Sequence, residues 1–340
     1  MKMIQLKETR RRGEVVYSLQ NFGMKPLPPE AIVDNALMNS TAIVQAIQEL
    51  IGELRIKQKE TAISVSGHSV IIKKIQMPQM SAGELDESIQ WEAEQYIPFD
   101  VKDVNIDTQI LTPEADAAGQ MDVLLVAAKK DMINDYTSVC AEAGLAATVV
   151  DVDAFAVQNA YETNYEATPG QPVVLINVGA AVTNINVVLN GMATFTRDIT
   201  MGGNAFTEEI QKQINISYEE AEALKVGGQG EVDAVVPQEV ERVIQGVADQ
   251  MGGEIQRSLD FFAATAPESR VSRVFLSGGT ARIPALFKVI EQRAGVPVEV
   301  MNPFKQIEVD NRKFDPAVIM NAAPAAAVAV GLALRRPGDK

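Results

Sequence analysis

The chain has 340 residues, 46% of them hydrophobic, and a formal net charge of −15 with a pI near 4.7. That is roughly two domains' worth of chain with apolar content for a large core, and the charge argues against a nucleic-acid backbone or an anionic membrane face as a direct partner. A lone cysteine, Cys140, excludes an internal disulfide framework, and a lone histidine, His68, excludes a histidine-rich metal site.

In chain order, KMIQLKE and EVVYSLQNF read as strands joined by the polar TRRRG. A helix follows over 40–54, with Ile43, Val44, Ile47, Leu50, Ile51 and Leu54 on one face, and then the strand TAISVSG with His68 in a loop at its end. An insertion is expected over 69–152. In it Ser81 and Glu84 form a capping box ahead of a helix carrying Leu85, Ile89, Ala93, Tyr96 and Ile97, which Pro98 stops. The strands DVNIDTQIL and MDVLLVAAK, a helix over 131–143 and the strand AATVVDV complete a small α+β unit. PEADAAGQ is a loop within it, and YETNYEATPGQ links it to the second half.

The second half opens with three strands, PVVLINVG, TNINVVLNG and MATFTRDI, the last two joined by the hairpin signal Asn190-Gly191. MGGNAFTEEIQKQI starts a helix at Gly202-Gly203. SYEEAEALKVGG carries a second capping box, Ser217 with Glu220, and sets Glu222 and Lys225 on one helix face, where a plain surface ion pair would also satisfy them. RVFLSGGTARIPALFKVI runs from a strand through Gly278-Gly279 into a helix, a geometry in which a flat ligand or a phosphate can touch bare backbone. VPVEVM is the last strand. The run AAPAAAVAVGLALRR, broken by Pro324, reads as too short to cross a bilayer, so a soluble protein is expected.

The order of three antiparallel strands, helix, strand, helix, strand occurs in both halves, with one piece absent from the first. If the halves are duplicates, 3–8 matches 183–189, and a first strand with its turn would lie ahead of Met1. Two such β-β-β-α-β-α units resemble the actin-like ATPase superfamily. Within the insertion, IKKIQMPQMSAGELDESIQWEAEQYIPFDVKDVNIDTQIL is similar to the subdomain of the PilM family, cytoplasmic actin-like proteins of type IV pilus assembly, which are in turn similar to the division protein FtsA. EAEQYIPF is the most specific stretch. The resemblance implies an α/β, actin-like fold of two duplicated RNase H-like domains with an FtsA-type α+β subdomain. Domain I would comprise 1–68, 153–171 and 322–340, the subdomain 69–152, and domain II 172–321.

The same resemblance implies a nucleotide, ATP or ADP with Mg as an accompanying ion. In the superfamily a Gly-Gly-[Ser/Thr]-x-Arg-Ile-Pro turn holds the adenosine, matched here by Gly278, Gly279, Thr280, Arg282, Ile283 and Pro284, with the Arg282 guanidinium able to stack on the purine. Glu222 and Lys225 would approach the ribose and purine. The second phosphate loop would be Asn177, Gly179, Ala180 and Thr183, with Gly202 and Gly203 adding donors at a helix N-terminus. Asn177 departs from the family's Asp. An amide can orient a water, but it supplies neither a negative charge for a hydrated cation nor the basicity to accept a proton. The first phosphate loop has no counterpart in the sequence, so hydrolysis is expected to be weak at most, with no catalytic residue assigned.

The function implied is a nucleotide-binding scaffold of the pilus inner-membrane assembly platform. It would be cytoplasmic and peripheral to the membrane through protein partners, foremost the N-terminal cytoplasmic peptide of PilN. That peptide would dock in a groove beside the subdomain, lined by Tyr96 and Phe99, with Trp91 and Ile97 expected in the subdomain core. An FtsA-like adaptor is the alternative. It would differ by a C-terminal amphipathic membrane helix, whereas GLALRRPGDK shows no apolar stripe beyond Leu334. A sugar-kinase-like enzyme is the other alternative, with Asp151 or Asp153 as its acidic base. Other pilus components are further expected partners, and oligomeric state is left open.

Overall fold

The computed structural model describes residues 1–112, 119–227 and 238–339; most of the loop PEADAAGQ lies outside them. The first lobe begins with β1 (Lys2–Arg11) and β2 (Glu14–Met24), paired antiparallel about Arg12-Gly13, both at positive φ. The hairpin of β3 (Ile32–Val33) and β4 (Ala36–Leu37) leads into α1 (Ser40–Leu54), where the Asn39 side chain caps by accepting from Ala42 N. β5 (Glu60–Val65) then runs toward the lobe boundary.

The insertion supplies β6 (Val70–Pro78), α2 (Ala82–Ala93), β7 (Val104–Ile110) and β8 (Gln120–Lys129). Its strands form an antiparallel sheet in the order β6-β8-β7. The Ser81/Glu84 capping box is formed, and the stripe Leu85, Ile89, Ala93 and Ile97 packs on Met77, Val123 and Leu125 of the sheet. Next come α3 (Lys130–Glu142), β9 (Ala146–Val152) and α4 (Asp153–Asn164). The sequence places α3 and β9 in the inserted unit; the structure pairs β9 in parallel with β5 and packs Val139 and Cys140 of α3 on Ile43 and Ile47 of α1. Helical periodicity shows which face of α3 is apolar but not which neighbour covers it.

The second lobe holds β10 (Val173–Val178), β11 (Thr183–Leu189), β12 (Met192–Ile199), α5 (Gly203–Ile214), α6 (Tyr218–Gly227), α7 (Gln238–Thr265), β13 (Arg273–Ser277), α8 (Pro284–Ala294) and β14 (Val298–Val300). Its five strands follow the order β12-β11-β10-β13-β14, and all six residues of central β10 are buried. Such a strand reads as a continuous apolar run because both faces are covered. The first lobe repeats this order around a central gap: β2-β1 stand for β12-β11, and β5-β9 for β13-β14.

α9 (Pro316–Ala333) closes the fold. Its 18 residues and mean hydropathy of 1.7 suffice for a membrane span by length and composition, a correction to the sequence expectation. Here it is a packed core helix. Ile319, Ala323, Ala326 and Val330 join a core with Leu19 and Ala160, and a Cβ on Gly331 would sit 1.6 Å from the Ala156 carbonyl oxygen, so α9 and α4 meet backbone to backbone.

Candidate functional site

A cleft of about 1200 Å³ runs along the lobe boundary, and at one end it is lined by Asn177, Gly179, Gly203, Glu222, Lys225 and Gly278. Three chain reversals meet there. Gly278 has φ 91°, and a Cβ on it would lie 2.2 Å from the Val178 carbonyl oxygen, so only glycine lets β13 turn beside β10. Its N–H donates to the Pro324 carbonyl on α9 at 2.7 Å. Gly279 begins a short 3₁₀ turn, and a Cβ on it would meet nothing within 4 Å, so this backbone is open to approach.

The Gly179 carbonyl ties the reversals together: it accepts from Gly203 N at 2.8 Å and from Thr280 Oγ1 at 3.0 Å. Ala180 accepts from Asn204 N at 2.8 Å. The first N–H groups of α5 are therefore spent on protein carbonyls, which differs from their expected role as free donors. What Gly202 and Gly203 provide is close approach, since a Cβ on either would come within 2.5 Å of Ala180 O or Thr280 Oγ1. The positive end of the α5 dipole still faces this end of the cleft. Thr183 turns inward, fully buried, and donates to the Met201 carbonyl at 2.7 Å.

Asn177 is the head of a polar chain. Its Nδ2 donates to Asn184 Oδ1 at 2.9 Å; Asn184 Nδ2 donates to Asp198 Oδ1 at 2.8 Å; Asp198 Oδ2 accepts from Gly67 N at 2.6 Å. The far end lies in the first lobe, at the turn into β6. A carboxylate only accepts, so Asp198 fixes the direction of both amides and requires a donor at position 177. That requirement gives the departure from Asp a physical reason. Sequence reading missed Asn184 and Asp198. Their signal was the asparagines in TNINVVLN, amides on an apolar strand that must find partners when buried.

Glu222 and Lys225 form an ion pair at 2.5 Å, but not a surface one: Lys225 is buried, and its Nζ also donates to Thr207 Oγ1 at 2.8 Å and to Gly203 O at 3.2 Å. Thr207 Oγ1 lies 2.6 Å from Glu222 Oε2. Arg282 Nη1 donates to the Asn321 carbonyl of α9 at 3.1 Å, tying the glycine turn to that helix from its exposed side. Asp151 is ion-paired to Arg335 at 3.2 Å, and burial pushes its carboxyl above the usual range. Asp153 lines the cleft, accepts from Ser64 Oγ at 2.5 Å and is likewise shifted upward by burial.

In the insertion, Tyr96 and Phe99 are half-buried against the edge of the subdomain core, with Lys129 Nζ 4.4 Å from the Phe99 ring centre. Ile97 is in the core as expected. Trp91 is not: it is 78% exposed, a correction explained by its place two residues beyond Ile89, off the Leu85/Ile89/Ala93 stripe.

A family model described as type IV pilus assembly protein PilM matches residues 1–337. The chain is 25% identical over 307 residues to the cell division protein FtsA of Neisseria meningitidis serogroup B, covering 82% of this chain and 69% of that protein. Among solved structures it is similar to the PilM-PilN type IV pilus biogenesis complex, with a TM-score of 0.86 and 27% identity over 99% of this chain and 96% of the other. The ethanolamine utilization protein EutJ from Carboxydothermus hydrogenoformans shares the fold at a TM-score of 0.53 and 14% identity, covering 98% of this chain and 89% of its own. These likenesses bear out the actin-like reading of the duplicated halves.

Proposed function

The chain belongs to the family of type IV pilus assembly protein PilM, and on that premise we propose that it is a cytoplasmic nucleotide-binding scaffold of the pilus assembly platform. It takes ATP or ADP in the cleft and the N-terminal cytoplasmic peptide of PilN beside the inserted subdomain, through which it is held at the inner membrane. The observation that carries the nucleotide part is the meeting of Gly278-Gly279, the Gly179 turn and the Glu222–Lys225 pair at one end of a single cleft. The open backbone at Gly279 suits a base or ribose lying close, Arg282 is the residue for the purine face, and the α5 dipole favours phosphate. A magnesium ion would be held chiefly by the phosphates it arrives with, since position 177 offers an amide and no negative charge.

Holding rather than turnover is what these residues do. The Asn177 amide is committed to Asn184 and cannot take a proton, Asp151 is occupied by Arg335, and Asp153, the other carboxylate expected as a base, accepts from Ser64 Oγ. The partner assignment follows the similarity to the PilM-PilN complex. The reading is tested by calorimetry with ATP, ADP and a synthetic PilN N-terminal peptide. Saturable binding of a nucleotide and of the peptide is the expected result; a chain that binds neither refutes it.

A further inference from the structure

We infer that the first lobe carries an anion site of its own, an open pocket of about 650 Å³ where β1 and β2 meet the end of α1 and the segment ahead of α9. Its ligand is a soluble phosphorylated small molecule, bound through a phosphoryl group with two negative charges.

Three cations from three separate elements line it: Lys7 of β1, Arg55 at the end of α1 and Lys313 ahead of α9. In a chain of net charge −15 that is a local reversal of sign. Among the described residues none of the three enters an ion pair. The acids nearby are already held. Glu8, in the lining, is paired with Arg336, and Asp310, whose field Lys313 shares, is gripped by Arg312 at 3.0 and 2.9 Å.

Two backbone features support a built site. Arg55 caps α1 in the left-handed region, φ 52°, where glycine is the usual residue and a side chain is disfavoured. A cation serving only the α1 dipole could stand anywhere in the last turn without that strain. The second feature is a bulge in β2. Gln5 pairs with Asn21 and Leu6 with Leu19, so Gln20 is the extra residue, and a bulge re-aims the side chains beside it. Gln20 and Asn21 both line the pocket. Gln20 Nε2 donates to Ser18 Oγ at 3.2 Å, which leaves its second N–H for a ligand.

The guanidinium fork of Arg55 matches two oxygens of a phosphoryl group, and the two ammonium groups act as point charges that a monoanion would leave in surplus. An extended anionic surface is a poorer fit. It would lie against the acidic remainder of the chain, whereas a small ligand feels chiefly charges within a Debye length, about 8 Å.

The pocket shares only Gln5 and Leu6 with the cleft, so the two sites can be separated by experiment. The test is calorimetry on the full chain with inorganic phosphate and pyrophosphate, without and with saturating ADP. Saturable one-to-one binding of pyrophosphate is expected, unaffected by ADP and weakened between 50 and 200 mM salt. Arg55→Gly should bind at least about tenfold more weakly while its thermal midpoint is kept or raised, because glycine suits that backbone. Lys313→Gln should show the same loss, and Arg12→Gln, outside the pocket, none. No saturable binding, displacement by ADP, or affinity unchanged in Arg55→Gly would each overturn the inference. Binding to phosphatidylglycerol vesicles without binding to pyrophosphate would overturn the choice of a soluble ligand.

Discussion

Asn177→Asp restores the residue that an actin-like phosphate loop would carry, yet the structure predicts that it harms the fold. At present the chain of donors runs from Asn177 to Asn184 to Asp198, with Gly67 N completing it. A carboxylate at 177 faces Asn184 Oδ1 across 2.9 Å with two acceptors and no proton. If the Asn184 amide turns to satisfy it, the amide oxygen faces Asp198 instead. Either way one buried oxygen loses its donor, at positions only 7% and 3% exposed, and a charge is buried beside it. A buried unsatisfied group of this kind costs roughly 2–3 kcal/mol. By linkage the introduced carboxyl is held above its unfolded value by burial and by the acceptor it faces. The sign follows: below the unfolded value the introduced carboxyl is protonated in both states and donates to Asn184, so the penalty is small. It grows as pH rises through the folded value and is complete above it. Thermal unfolding at pH 8 should drop by roughly 5–10 °C for a lobe of this size and largely recover near pH 4 relative to the parent. Adding Asp198→Asn reverses the polarity of the whole chain, because the new amide can donate to Asn184 while its oxygen keeps Gly67 N, and should restore most of the loss. An unchanged midpoint at pH 8, a deficit equal at both pH values, or no recovery in the double variant would refute this account.

Arg282→Ala should weaken ATP and ADP binding alike, since a contact to the base is blind to the γ-phosphate; equal affinity in variant and parent, by calorimetry, removes Arg282 from the site. Steady-state hydrolysis should stay well below the roughly 1–100 s⁻¹ of kinases, and a phosphate-release assay showing turnover in that range would favour an enzyme over a scaffold. Tyr96→Ala or Phe99→Ala should lower affinity for the PilN peptide by roughly 1–3 kcal/mol while nucleotide affinity is kept; if both bind the peptide as the parent does, these rings serve the subdomain core. Gly278→Ala combines a positive φ with a Cβ 2.2 Å from the Val178 carbonyl and should lose about 3 kcal/mol or more in denaturant unfolding, whereas Gly279→Ala, open to 4 Å, should fold normally.

What was legible in the sequence was whatever rests on local periodicity and turn chemistry. The helix over 40–54, both capping boxes and the Asn190-Gly191 hairpin stand as read, because each is decided within a few residues. The duplicated strand order was legible too, and so was the approach of the Gly179, Gly203 and Gly278 turns to one another at one end of the cleft, because glycines after strands mark where backbone must come close. Partners across long separations were not. Nothing in the pattern of α3 says that it packs on α1, and Trp91, expected in the subdomain core, is exposed because its phase on the helix sets it off the buried stripe. Glu222 and Lys225 show the same limit: spacing gives a pair on one face, but only the fold shows that α5 lies over Lys225 and makes that pair part of a buried network. The Asn177 exchange looked, from the motif alone, like a loss of chemistry. In three dimensions it is a requirement set by Asp198, twenty-one positions further on and two strands away, which accepts at both oxygens and leaves the amide at 177 as the donor the chain needs.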